Sequence, residues 1–361
     1  VGGIERQVEA LARHQLEAGH RVRVVTAIPD PDRLVDDELL PIVRPDHSRV
    51  FISGSPVHLR HLARRALRGP GVDVIHAHLS LASPLAVHTA RYASRHGIPL
   101  ALTVHSMWPD SVITTRSANL PYWWGPIHGA WSAVSTAATE NVRPVIGRHT
   151  PIMVVPNIVE TRWWHPTGTL RPTDPSEIRI ITVGRLARRK RVEPFVEILR
   201  QVRDRLDPAV RLRVSIIGEG SRRPHVTQLL TEYGMADWVH LLGQQEPSTI
   251  RDALQDSDLF VAPARRESFG IAALEARAAG LPVIGLRRNG LSDFIADGRE
   301  GVLCEDDSAM VDALVDLAVD PARLTAMRAH TNINLPTLDA KDALRAVDEL
   351  YERAFASIKF G

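Results

Sequence analysis

The stretch "RRESFGIAALEARAAGLPVIG", from Arg265 to Gly285, decides how the chain is read. Just before it, "LFVAP" (259–263) is a short continuous apolar run, the pattern of a buried strand. "ARRES" reads as a loop, and "FGIAALEARAAG" as a helix stopped by Gly280, a residue suited to a left-handed cap. "LPVIG" (281–285) opens another strand. Strand, loop, helix and strand in that order make a βαβ unit of a parallel sheet. Glu267 then falls in the loop at the carboxyl end of a strand, and Glu275 about one and a half turns into the helix. Beside Glu267 lie the amides of Ser268, Phe269 and Gly270, which a helix start leaves without helical partners. Amide donors with one carboxylate suit a polyol. Glu275 suits two neighbouring hydroxyls, such as those of a ribose. The plainer alternative makes Glu267 a helix-start acid and Glu275 a surface residue, but the Ala and Leu around Glu275 strain it.

The same alternation runs outward in both directions. The second half has strand candidates at 178–184, 211–218, 238–243, 259–263, 281–285 and 301–304. The first half has them at 21–28, 49–53, 72–78, 99–105, 130–135 and 151–157. Amphipathic helices such as "SPLAVHTARYASRHG" lie between them. Near-continuous apolar strands with helical crossovers predict parallel sheets covered on both faces. "HPTGTLRPTDPSE" (165–177) is rich in Pro, Thr and Gly and reads as a linker. The expected architecture is α/β: two Rossmann-like doubly wound domains, 1–165 and 166–338, facing a central cleft. Residues 339–361 form an amphipathic helix that caps the second domain or crosses back to the first. The chain opens on "VGGIERQVEAL", a glycine turn entering a helix, before which a strand is expected.

Composition narrows the class. The 361 residues suffice for two cores, and 44% apolar with 24% charged residues fits a globular protein. A net charge of +2 does not indicate a nucleic-acid partner. The single cysteine, Cys304, excludes an internal disulfide and allows a reducing compartment, so a cytoplasmic place is expected. No apolar run reaches the ~20 residues that span a bilayer.

Three further motifs carry chemistry. "VGRLARRKR" puts five basic residues between Arg185 and Arg191 at a strand's carboxyl end, before the helix "VEPFVEILRQVRDRL". Arg and Lys at a helix start form an anion site. Such cations repel one another and oppose the helix dipole, and a bound anion offsets both; a solvated basic turn is the alternative. "IIGEGSRRP" contains Gly218-Glu219-Gly220 after a strand, but Arg223 stands where a dinucleotide fingerprint has its third glycine. A tight turn with some nucleotide contact fits better. His105 ends a strand, where a ligand group is as natural a reading as a core histidine. His76 and His78 in "HAH" resemble a metal pair without an evident third ligand, and read as structural or acceptor-side residues. Asp30-Pro31-Asp32 spells an isolated DxD in a loop and carries little weight.

Together these pieces resemble the GT-B glycosyltransferases of the retaining family 4, which includes phosphatidylinositol mannosyltransferases and glycogen-synthase-like enzymes. The resemblance covers essentially the whole chain: "VGGIERQVEALARHQLEAGHRVRVVT", "DVIHAH", "LTVHS", "VVPNIVE", "VGRLARRK", "IIGEG", "RRESFGIAALEARAAGLPVIG" and "NGLSDFIADGREGVL". It implies a nucleotide-diphosphate sugar donor. Arg185 and Lys190 bind the diphosphate, with Gly184 and Gly218 in the adjoining turns. Glu267 holds sugar hydroxyls and Glu275 the ribose. Ser268, Phe269, Gly270 and Ile271 offer amides to sugar and phosphate, and Gly3 approaches the pyrophosphate from the other domain. His105 sits near the reacting centre. The resemblance further implies same-face attack, with the leaving phosphate oxygen taking the acceptor proton, and no metal or other cofactor. GDP-mannose is favoured because the high Arg and Ala content resembles that of actinobacterial mannosyltransferases, with UDP-sugars the alternative. A sugar-nucleotide epimerase and a non-catalytic sugar-nucleotide binder are the competing readings. Two departures from the family are mild: Asn289-Gly290 replaces the usual Gly-Gly, and Asp293 stands where Glu is common.

The acceptor is a sugar, a lipid-linked sugar or another hydroxyl compound. "SPVHLRHLARRALRG" (55–69) is a basic amphipathic helix that suits an anionic membrane face as well as an ordinary domain surface. Trp108, Trp123 and Trp124 in the loop 106–126 suit sugar stacking or lipid contact.

Overall fold

In the computed structural model, residues 3–26, 42–43, 71–80, 83–108, 127–166, 168 and 171–358 are described. They fall into two compact units, Val1–Ile158 with Lys341–Gly361, and Val159–Ala340. The amino-terminal unit begins with helix α1 (Gly3–Glu17), followed by a short parallel pair, β1 (Val24–Val25) and β2 (Ile42–Val43). Its main sheet has the order β3 (Ile75–Leu79), β4 (Leu100–Val104), β5 (Ala130–Ala133) and β6 (Ile152–Val154), all parallel. The crossover helices are α2 (Pro84–Arg95) and α3 (Thr136–Ile146). Ser135 starts the latter by accepting from the Ala138 amide at 3.0 Å. β4 is buried along its whole length, which is why "LALTV" reads as a run and not as an alternation.

The carboxy-terminal unit opens with a short helix α4 (Thr161–Trp164) and holds a six-stranded parallel sheet. In chain order the strands are β7 (Glu177–Val183), β8 (Arg211–Ile217), β9 (Val239–Gly243), β10 (Leu259–Ala262), β11 (Val283–Leu286) and β12 (Gly301–Cys304). In space the order is β12-β11-β10-β7-β8-β9. The chain thus builds outward from β7 through β9, then returns to lay β10 on the other side of β7. Helices α5 (Val192–Arg205), α6 (Arg223–Glu232), α7 (Pro247–Gln255), α8 (Ile271–Ala278), α9 (Asp307–Val319) and α10 (Pro321–Ile333) accompany these strands. Ile180, Val214, Leu259, Val261 and Ile284 from the sheet pack with Phe195, Leu199, Met310 and Leu314 from helices in one core.

Two expectations change. The break between units falls at 158/159, ahead of the Pro- and Thr-rich stretch. The described residues of that stretch are no free linker, because two of them are pinned within the second unit. The Arg171 guanidinium forks onto Asp258 at 2.7 and 2.8 Å, and His165 meets the Asn332 carbonyl at 3.0 Å. The last helix, α11 (Ala340–Ala356), runs into the amino-terminal unit, where the Tyr351 hydroxyl accepts from Gln15 at 2.8 Å. Among the described residues no helix is long and apolar enough to cross a membrane. The strand expected at 49–53, the basic helix 55–69, Asp30 and Asp32 lie outside the described residues, as do Trp123 and Trp124.

Candidate active site

In an open parallel sheet the crevice for a ligand lies where the strand order reverses, outside the carboxyl ends of the strands. Here that point lies between β7 and β10, which pair in parallel at Leu259/Ile180 and Phe260/Ile181. The loop after β7 carries Gly184 to Arg191, and the loop after β10 carries Glu267 to Gly270. The two motifs picked out in the sequence, 77 positions apart, therefore meet at one place: the Lys190 ammonium donates to the Glu267 carboxylate at 2.5 Å.

This contact alters the expectation for the basic run. Crowded cations there were expected to need a bound anion for balance. Two of the five are instead balanced within the chain, Lys190 by Glu267 and Arg191 by Asp307, the latter at 2.6 Å. Arg185, Arg188 and Arg189 are exposed. The cation meant for a diphosphate and the carboxylate meant for sugar hydroxyls are thus one ion pair, with side-chain exposures of 31% and 16%. Exposed Arg185 stands on the same loop, and helix α8 begins four residues after Glu267 with first-turn amides that lack intrahelical acceptors. Glu275 is half-buried on α8.

Backbone packing fixes these loops. Gly184 donates to the Ile217 carbonyl at 2.9 Å, Leu186 to Glu219 at 2.8 Å, and Gly218 to Gly243 at 2.7 Å. A methyl group on Gly218 would lie 2.0 Å from the Gly184 carbonyl oxygen, so the turn after β8 fits against the turn after β7 only with glycine there. Hence Gly218-Glu219-Gly220 acts as a packing turn beside the site. The Asn289-Gly290 departure also has a physical reason. A side chain on Gly290 would meet the Ser268 carbonyl oxygen at 2.5 Å and the Phe269 backbone at 2.6 Å, so glycine is required. Asn289 has ordinary extended backbone and is buried; its side chain accepts from Leu291 at 3.0 Å and donates to the Ala264 carbonyl at 3.2 Å. A capping amide there ties the 289–293 turn to the loop that carries Glu267.

In the amino-terminal unit the polar side chains of neighbouring strands form a continuous stripe. His76 and His78 of β3 stand next to Thr103 of β4 and His105 just beyond it. His78 Nδ1 and His105 Nε2 are 2.9 Å apart. The rings of His76 and His78 lie 4.1 Å apart, centroid to centroid. His76 bonds Thr103 at 2.7 Å and the Tyr351 hydroxyl at 3.1 Å, and Thr103 bonds Ser132 of β5 at 2.7 Å. Burial pushes the His105 imidazole down to about 4, against a hydrogen bond with Asn157 that acts the other way. Burial, aided by the charge His105 would carry, pushes His76 down to about 3, and His78 is held well below the ordinary range. All three rings are neutral near pH 7. Among the described residues no group of three His, Cys, Asp or Glu is arranged to hold a metal. Gly3 opens helix α1 in this unit and is exposed.

Two residues read differently in three dimensions. Trp108, expected to stack on a sugar or touch lipid, is fully buried; its amide donates to Asn141 at 2.6 Å and its carbonyl accepts back at 3.1 Å. Arg277, which the helix pattern alone left unremarked, is 0% exposed and donates to Glu300 at 2.5 Å and to the Thr331 and Asn334 carbonyls at 2.9 and 2.6 Å. It clamps α8 to the end of α10. An arginine amid alanines was the only signal for it.

Comparison with known proteins finds family matches in both units. Residues 1–163 match the family model described as Glycosyltransferase Family 4, and residues 177–320 the one described as Glycosyl transferases group 1. Over 364 aligned residues the chain is 28% identical to D-inositol 3-phosphate glycosyltransferase 1 of Catenulispora acidiphila, covering 91% of this chain and 85% of that one. It is 26% identical to a glycogen synthase of Mycobacterium tuberculosis, covering 89% and 84% of the two chains. Among solved structures, sucrose-phosphate synthase from Thermosynechococcus elongatus superposes with a TM-score of 0.78 at 19% identity, over 99% of this chain and 94% of that one. Anabaena HepE in complex with UDP and glucose gives 0.72 at 15% identity, over 97% and 96%.

Proposed function

The chain belongs to the glycosyltransferases of GT-B fold, with a family 4 first half and a group 1 second half, and from that premise we propose a retaining hexosyltransferase. Its donor is a nucleotide-diphosphate sugar and its acceptor a hydroxyl compound. The observation that carries this reading is the Lys190–Glu267 pair at the strand-order reversal of the carboxy-terminal unit. It sets a cation for phosphate and an acceptor for sugar hydroxyls side by side.

In this reading Arg185 and Lys190 face the diphosphate. As the glycosidic bond breaks, charge grows on the leaving phosphate oxygens, and fixed cations stabilise it more than the ground state. Glu267 accepts from the hexose hydroxyls while holding Lys190 in place. Glu275 accepts from the ribose. The first amides of α8 contribute the positive end of a helix dipole. His105 acts as a neutral ring, a hydrogen-bonding partner for the sugar and not a proton store. The acceptor hydroxyl attacks the anomeric carbon on the face from which the phosphate leaves, and the departing phosphate oxygen takes its proton, so configuration is retained. With cationic side chains on the diphosphate the transfer needs no metal, and activity in excess EDTA is expected to match that in its absence. The relatives' names, an inositol phosphate glycosyltransferase and a glycogen synthase, support a polyol or glycan hydroxyl as acceptor. GDP-mannose is the first donor to try and UDP-glucose the second, the complex of HepE with UDP and glucose supporting the latter.

Thermal denaturation with GDP, UDP and ADP tests the donor. A ligand at 100 times its Kd stabilises by about 2.7 kcal/mol, a clear shift in Tm. No shift with any of the three would overturn the reading. Products formed from the matching nucleotide sugar, with and without acceptor, then separate transfer from epimerisation.

A further inference from the structure

Arg191 is, among the described residues, the only non-glycine residue in the left-handed region, with φ at 58°. That backbone is costly for an L side chain and free for glycine. It occurs directly after Lys190. The Arg191 amide closes the turn 188–190 by donating to the Arg188 carbonyl at 3.1 Å, and its carbonyl accepts from Phe195 at 3.0 Å to start helix α5. A turn that reverses this sharply sets the direction in which Lys190 leaves the chain.

The side chain explains why an arginine stands here. Its two terminal nitrogens fork onto the Asp307 carboxylate at 2.8 and 2.6 Å, and one also donates to the Pro263 carbonyl at 3.1 Å. Arg191 holds the Asp307 carboxyl below its usual range. Asp307 opens helix α9 after β12, and Pro263 follows β10, four residues before Glu267. One residue therefore has its backbone joined to Lys190 and its guanidinium holding the loop that carries Glu267. The two halves of the Lys190–Glu267 pair are fixed to each other by a second route that bypasses the pair itself. A lysine has a flexible stem with much rotamer freedom, so an anchored neighbour matters more for it than for a short side chain.

We propose that Arg191 is a positioning residue of the donor site: anchored by Asp307 and Pro263, it holds Lys190 in register with Glu267 for the diphosphate. The assignment rests on the donor reading above, and its test separates the two. The variants are Arg191→Gly, which suits the left-handed backbone but removes the anchor, and Asp307→Asn, which leaves that backbone untouched. Nitrogen-15 NMR of the Lys190 ammonium in the free protein reports positioning without any ligand. Calorimetric titration with GDP and UDP reports binding. In both variants the ammonium signal is expected to broaden into exchange with water. Nucleotide-diphosphate affinity should fall about ten-fold, the scale of one charge-assisted hydrogen bond. In a Lys190→Ala background, Arg191→Gly should change affinity less than about two-fold, since the two residues act as one unit. The proposal is overturned if the Lys190 signal is unchanged in both variants, or if Arg191→Gly weakens binding equally with and without Lys190. If Arg191→Gly does not fold, Asp307→Asn decides by the same readings. If the wild-type protein binds neither nucleotide, the donor reading fails and the ammonium signal alone decides the role of Arg191.

Discussion

The polar regions of the two units solve opposite problems. In the carboxy-terminal unit, formal charges meet in two pairs, Lys190 with Glu267 and Arg191 with Asp307, with exposed Arg185 on the same loop. In the amino-terminal unit a stripe contains His76, His78, His105, Thr103 and Ser132, all neutral and joined by hydrogen bonds and a ring contact. A charged anchor suits a ligand whose charge grows during reaction. A neutral stripe suits hydroxyl groups that must be aligned without ionising. The difference also shows how each region tolerates burial. Ion pairs bring their own counter-charge, whereas three adjacent imidazoles stay buried only by remaining unprotonated.

Four measurements would break or sharpen that contrast. The largest effect is expected from Arg185→Ala, which in the proposed reading removes a cation from the leaving group: the barrier behind kcat should rise by about 2.7–4 kcal/mol, the cost of one oxyanion donor. Near-normal turnover would place the leaving-group charge elsewhere. Next comes acid. The depressed His105 and His76 take up protons on unfolding, so their stabilisation is complete above about pH 6.5 and is lost as pH falls towards 4 and then 3. The slope is about 1.4 kcal/mol per pH unit for each extra proton bound by the unfolded chain. Asp307, lowered by Arg191, loses its contribution only below the ordinary carboxylate range. Calorimetry should therefore show the amino-terminal unit melting earlier as pH drops from 6.5 to 5, with the other unit nearly unmoved. Parallel shifts of both transitions would contradict the neutral stripe. Tyr351→Phe is a smaller probe. It removes the hydroxyl shared by His76 and Gln15 and should lower the stability of the first unit by about 0.5–1.5 kcal/mol, leaving the second unit's transition in place. The smallest response is expected from Cys304, where burial pushes the thiol up to about 12. Iodoacetamide at pH 8 should leave the native protein unlabelled, and rapid labelling would mean that β12 opens.

Local pattern carried much of this arrangement. Apolar runs located every described strand except the two-residue β2 (Ile42–Val43), and "RRESFGIAALEARAAGLPVIG" marked the loop and helix start that bear Glu267. What stayed illegible depended on contacts between distant positions. Nothing near Lys190 signals Glu267, 77 residues on, because the order in which strands join the sheet brings them together. The run Arg185–Arg191 looks uniform in one dimension, yet its last two members are neutralised by carboxylates from a distant loop and a distant helix start. Trp108 was misread for the same reason: an aromatic in a Pro- and Ser-rich stretch looks exposed until Asn141 is seen to cover its backbone. Asn289 shows the converse, a departure in sequence that geometry makes harmless because only Gly290 lacks room for a side chain.

The path of helix α11 has a consequence for how the molecule is made. Residues 159–340 are contiguous, so the second unit can complete its core as soon as they emerge from the ribosome. The first unit draws on residues 341–361 for Tyr351, which meets Gln15 and His76. The half synthesised first is therefore the half finished last. A chain ended at residue 340 would hold every residue of the carboxy-terminal unit, with an amino-terminal one still short of its closing helix.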